Sequence, residues 1–124
     1  MSPLVCIALA VYFEARSERV EHQQRVADVV LNRVEDDRYP DDACAVVWEP
    51  RQFSWTHDGK SDVPRNRRAW GLARTVAQDS IEREHRYRAT HYVRHDVDRA
   101  WEDAFAYMGR EGAHDFYYND TPYR

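Results

Sequence analysis

The stretch Tyr12-Phe13-Glu14-Ala15-Arg16-Ser17-Glu18 holds the residues of this chain best suited to chemistry. Glu14 closes an apolar run (Leu4, Val5, Ile7, Ala8, Leu9, Ala10, Val11, Tyr12, Phe13) that reads as a buried first helix. Apolar surroundings disfavour a carboxylate relative to its neutral acid, raising its pKa and making it a general acid near neutral pH. Turned inward, Glu14 would have that setting. Glu18 is a second carboxylate, one helical turn on if the helix continues. From the residues alone, a helix-end glutamate paired with Arg16 or Arg19 is the simpler reading of Glu14.

Other constellations carry less. His91 and His95 are four apart and followed by Asp96, a spacing that invites zinc, but no third ligand is evident and neither metal nor other cofactor is expected. A nucleophilic Cys6 is excluded by its place deep in the apolar helix. Gln52, Ser54 and Thr90 are short polar groups beside aromatics, suited to hydrogen-bonding acetamido and hydroxyl groups. Phe53 and Trp55 suit sugar stacking and packing under their own loop about equally.

These groups must be positioned by mainly helical elements. Ser17 is the predicted N-cap of a second helix running to about Val34, with Val26, Val30 and Val34 on one face. Asp42 is predicted to cap a short helix, Ala43 to Trp48, and residues 49–66 to be irregular, with Pro50, Gly59 and Pro64. A third long helix is predicted from about Arg67 to Glu84, with Ala69, Ala73, Val76, Ala77 and Ile81 inward. Residues 89–93 and 115–118 have strand composition, and Trp101, Phe105, Ala106 and Met108 suggest a short helix ending at Gly109. The fold class is therefore mainly α with a small β element (α+β), in one domain over residues 1–124.

Net charge is −4, with seven Lys and Arg against twelve Asp and Glu in residues 1–62 and eleven against ten in residues 63–124. Without a concentrated basic face, no nucleic-acid partner is expected. No apolar stretch reaches the roughly 18–20 residues of a membrane span, so no stable membrane insertion is expected. Residues 3–13 have signal-peptide length, but no basic segment precedes them and Glu14 and Arg16 follow, so they read as part of the fold rather than an export signal. Cys6 and Cys44 are either two buried thiols or one disulfide closing a loop of roughly 40 residues.

With these elements placed, the chain resembles the SleB-type cell-wall hydrolases, a family of spore-cortex-lytic enzymes, bacterial autolysins and phage-borne relatives. The resemblance runs in order through Glu14-Ala15-Arg16-Ser17-Glu18, then Gln23 or Gln24 leading to Leu31-Asn32-Arg33-Val34, then Pro40 and Cys44. It continues through Gln52-Phe53-Ser54-Trp55, Thr90-His91-Tyr92, and Gly112, His114, Phe116 and Tyr117. The departures are Ser17 for a usual glycine, Arg99-Ala100 where a proline commonly precedes the tryptophan, and Glu111 for an apolar residue.

The resemblance implies a lysozyme-like, lytic-transglycosylase-like fold and cleavage of peptidoglycan glycan strands between N-acetylmuramic acid and N-acetylglucosamine. Glu14 is the implied catalytic residue. Glu18, Gln52, Ser54, Trp55, Thr90, His91, Tyr92 and Tyr117 are the candidate substrate-binding residues, on a monomer. One glutamate suffices for a lytic transglycosylase; a muramidase needs a second carboxylate, for which Glu18 is the obvious candidate. A non-catalytic wall-binding module is the alternative of a different class. A lone catalytic domain without export signal suggests a phage endolysin, held in the host cytoplasm before reaching the wall; a fragment of an exported bacterial enzyme would look the same.

Overall fold

The computed structural model describes residues 1–49, 52–99 and 101–121. Helix α1 (Pro3–Ala15) is started by Ser2, whose side chain accepts from the Val5 amide at 3.2 Å, and by Pro3 in the first turn. Because α1 is apolar on every side, it is buried on every side: Cys6 through Tyr12 and Ala15 all lie in the core. Helices α2 (Val20–Val34), α3 (Ala43–Trp48) and α4 (Arg67–Glu82) pack around it. Val26, Ala27 and Val30 of α2 are buried in the same core, and Val34 packs partly against it. Asp42 caps α3 as predicted, accepting from the Ala45 amide at 2.9 Å, and Asn66 caps α4 through the Ala69 amide at 3.0 Å.

Two expectations for the helices fail at their edges. The N-cap of α2 is Arg19, with no side-chain cap, and not Ser17: the Glu18 amide bonds the Ala15 carbonyl, so the end of α1 consumes the turn in which Ser17 lies. In α4 the inward residues are Ala73, Val76, Ala77 and Ser80, while Ile81 is 37% exposed. Ser80 keeps the helical spacing and its hydroxyl donates to buried Asp28, so a polar residue holds the position expected of an apolar one.

Strands β1 (His91–Arg94), β2 (Ala106–Glu111) and β3 (His114–Tyr118) form an antiparallel sheet in the order β1-β3-β2. The short helix predicted to end at Gly109 does not form. Trp101, Phe105 and Met108 imitate helical spacing, but only an isolated turn forms at 101–105, and 106–111 pairs with β3 instead. Gly109, at φ 114°, absorbs the register shift between Tyr107 and Gly109 that a helix interior could not. Phe116, fully buried with Val29 and Ala89, fixes the sheet's inner face against α2.

Polar groups of α2 complete this join. Asp28, 1% exposed, accepts from Arg83 at 3.0 and 3.1 Å and from the Tyr87 amide at 2.9 Å, as well as from Ser80. Asn32 donates to the carbonyls of Tyr87 and Ala89 at 2.6 and 2.8 Å.

Cys6 of α1 and Cys44 of α3 are joined, with Cα atoms 5.2 Å apart and 38 residues of separation. Thiol titration of oxidised protein denatured without reductant is expected to find no free thiol. Reduction should lower the unfolding free energy by about 3–4 kcal/mol in the chain-entropy account; two free thiols after exposure to an oxidising buffer would contradict the pairing.

Candidate active site

Glu14 lies in the last turn of α1 and lines a cleft of about 530 Å³ between the helices and the sheet. One carboxyl oxygen, Oε1, accepts from the Tyr92 hydroxyl at 2.7 Å. Burial raises the Glu14 pKa, opposed by the Tyr92 hydrogen bond and by the charge of Arg33. The carbonyl end of α1 adds a field that further disfavours negative charge there. Tyr92 is itself held neutral, its pKa pushed well up by burial and by Glu14, so it remains a donor. The arrangement shifts the carboxyl towards its neutral form while keeping partners for the ionised one.

Arg33, in the last turn of α2, is 5% exposed and lines the same cleft. Its Nε donates to the Thr90 carbonyl at 2.7 Å and its Nη1 to Gln52 Oε1 at 3.0 Å. Burial lowers its pKa from the ordinary value, but a guanidinium stays charged in proteins. It thus places a fixed positive charge near Glu14 and orients Gln52 at the rim. Arg33 was named in the Leu31-Asn32-Arg33-Val34 motif but not among the candidate site residues. Its signal was available: a polar ridge of Asp28, Asn32 and Arg33 beside the valine face of an amphipathic helix.

Of the sequence-predicted residues, Glu14, Gln52, Ser54 and Tyr92 come together on the cleft. Trp55 does not line it; the ring is 6% exposed, stacks on Phe13 at 4.9 Å and meets Trp48 edge-on at 5.2 Å. Thr90 is buried and holds backbone, its Oγ1 accepting from the Asn119 amide at 2.8 Å. His91 and Tyr117 are register partners on the outer face of the sheet, away from Glu14. His91 packs on Trp101 and Phe105 at 5.0 and 4.7 Å, and burial depresses its pKa to about 3.

Glu18 also stands off the cleft. It pairs neither with Arg16, which donates to the Tyr12 hydroxyl at 2.6 Å, nor with a helix cap; its Oε2 is 3.4 Å from His22 Nδ1. His57, Arg94, Arg99 and His114 line the cleft without having been singled out as site residues. Ala100 of the Arg99-Ala100 departure lies outside the described residues, and so does Pro50. Among the described residues no three potential metal ligands converge, and no helix is long and apolar enough to cross a membrane.

The model of the cell wall hydrolase family matches residues 17–117, most of the chain, and the chain belongs to that family. The match begins three residues after Glu14. The spore cortex-lytic enzyme of Oceanobacillus iheyensis is 43% identical over 63 residues, 51% of this chain and 23% of that protein. The spore cortex-lytic enzyme of Bacillus subtilis is 38% identical over 75 residues, 60% of this chain and 23% of that protein. The chain therefore spans under a quarter of the length of these curated relatives. Among solved structures, it is similar to the catalytic domain of the germination-specific lytic transglycosylase SleB from Bacillus anthracis, with a TM-score of 0.78, 29% identity and 93% of each chain covered. The catalytic domain of the Bacillus cereus SleB protein gives 0.79 and 29%, covering 93% of this chain and 88% of that one. The fold is thus that of the SleB catalytic domain, mostly helical with a small three-stranded sheet.

Two measurements check the electrostatics of Glu14. Tyr92→Phe removes a donor that favours the charged form, so the alkaline limb of the pH–activity profile should move to higher pH; an unmoved limb contradicts that role. A carboxyl whose pKa is raised on folding binds more protons folded than unfolded between the two values, so it costs stability as pH rises through that window. Glu14→Gln should therefore be more stable than native protein at about pH 7, the gap closing as pH falls to about 4, near the ordinary glutamate value. Parallel thermal melts at both pH values read the gap directly.

Proposed function

We propose that the chain cleaves peptidoglycan glycan strands between N-acetylmuramic acid and N-acetylglucosamine as a lytic transglycosylase, with Glu14 as acid and then base. The observation that carries this is the cleft's composition: Glu14 is the one carboxylate lining it among the described residues. Protonated Glu14 gives its proton to the bridging oxygen as the bond from muramic acid C1 to that oxygen breaks. The resulting carboxylate, supported by Tyr92 and the charge of Arg33, takes the proton of the muramic acid 6-hydroxyl while its oxygen bonds C1. Glu14 ends protonated, water is not consumed, and the product carries a 1,6-anhydro ring.

The two-carboxylate muramidase is disfavoured because Glu18 faces His22 rather than the cleft. Gln52 and Ser54 at the rim are assigned to the acetamido and hydroxyl groups of the glycan. A bacteriolytic role, as expected of a phage endolysin, rests on the same chemistry, and the whole of residues 1–124 is proposed to act as one monomeric catalytic domain.

Mass spectrometry of digested sacculi is expected to find muropeptides ending in 1,6-anhydro-N-acetylmuramic acid, lighter by one water than muramidase products. Reducing ends without anhydro species would reject the transglycosylase reading while leaving wall cleavage standing. Glu14→Gln should lower the rate by about 10²–10⁴-fold or more while remaining folded. A folded variant with near-native activity would remove the assignment, and native protein that binds sacculi without releasing muropeptides would favour the wall-binding module.

A further inference from the structure

Next to the cleft, but outside the chemistry assigned to Glu14, lies a chain of three titratable side chains. His22 is fully buried on α2, with Nδ1 3.4 Å from Glu18 Oε2 and no other partner for that nitrogen among the described residues. Its Nε2 is 2.7 Å from Nδ1 of His114, on β3. His114 lines the cleft, and its ring meets Tyr92, the donor to Glu14, edge-on at 4.9 Å. The β2–β3 turn makes room for this chain: Gly112 sits at φ 56°, and a Cβ there would lie 2.6 Å from His22 Nδ1 and collide with the Glu18 carboxylate.

Two neutral imidazoles 2.7 Å apart share one proton, so one nitrogen donates and the other accepts. Burial depresses both histidine pKa values, that of His114 to about 4, so both are neutral near pH 7. The direction of the shared bond is then set by Glu18. A carboxylate beside His22 Nδ1 attracts an N–H there and repels a lone pair. With Nδ1 protonated, His22 Nε2 is the acceptor, His114 Nδ1 is the donor, and His114 Nε2 is left bare.

We propose that Glu18, acting through His22, fixes the tautomer of His114 so that its Nε2 presents a lone pair to the cleft, accepting a hydrogen bond from an N–H or O–H of the bound glycan. His114 is the binding residue; Glu18 and His22 are positioning residues. The identity of the ligand rests on the proposed glycan-cleaving function, whereas the tautomer is a property of the free protein.

Long-range proton–nitrogen NMR of histidine-labelled native protein near neutral pH reads the tautomers without substrate. Both His22 and His114 are expected to carry the proton on Nδ1, with a bare Nε2. Glu18→Gln keeps the shape but offers either an acceptor or a donor, so His114 Nε2 should shift towards the protonated value. On soluble glycan the same variant should raise KM about three- to tenfold, the size of one hydrogen bond, with kcat changed less. A native His114 protonated on Nε2, a tautomer indifferent to Glu18→Gln, or equal losses in KM and kcat would each overturn the proposal. Native protein inactive on peptidoglycan but showing the expected tautomers would instead count against the proposed function alone.

Discussion

The site depends on the polar edge of α2. A three-stranded sheet of short strands is marginal by itself, and this one is held by its contact with the helices. Asp28, Asn32 and Arg33 accept from or donate to the backbone of Tyr87, Ala89 and Thr90, so the chain entering β1 is fixed at successive positions. A buried carboxylate such as Asp28 is tolerable only when its lone pairs are used, and Ser80, Arg83 and the Tyr87 amide use them. Two residues beyond Thr90 comes Tyr92, whose hydroxyl reaches Glu14 across 78 residues of sequence. Without that seam the donor and the acid would sit on bodies free to part.

Glu14 is held between opposed effects. Burial and the end of α1 favour the neutral acid; Tyr92 and Arg33 favour the carboxylate. An acid used once would need only the first pair. In the proposed mechanism the acid must then act as base, so its ionised form has to be reachable, which is the second pair's contribution.

What was legible in the sequence follows from which forces are local. An unbroken apolar run marked α1 and apolar periodicity marked α2 and α4, each of which buries one continuous face, and Asp42 was readable as a cap because capping acts over three residues. Ser17 misled because a suitable residue does not fix where the preceding helix ends. Residues 101–109 misled because strand pairing with β3 is non-local and overrode a helical spacing. Thr90, His91 and Tyr92 were grouped as one motif, yet only Tyr92 reaches the cleft: strand alternation sends His91 to the other face of the sheet, and Thr90, just before β1, turns its hydroxyl to the Asn119 amide. The place of Arg33 in the cleft was hidden for a related reason: its partners lie 19 and 57 residues away.

The aromatic load has a structural account of the same kind. The segment carrying Gln52 and Ser54 forms one short 3-10 helix, Ser54–His57, in place of the wholly irregular course expected from sequence, and its side chains anchor it. Phe53 is 2% exposed, Trp55 stacks on Phe13 and abuts Trp48, and the Tyr12 hydroxyl accepts from the Asn66 amide at 3.1 Å where the segment ends. Phe13 and Tyr12 belong to the turn of α1 that carries Glu14, so the rim is moored to the helix end that bears the acid. Trp55 therefore serves the cleft by fixing where Gln52 and Ser54 stand, and Phe53 closes the cleft wall from within the core.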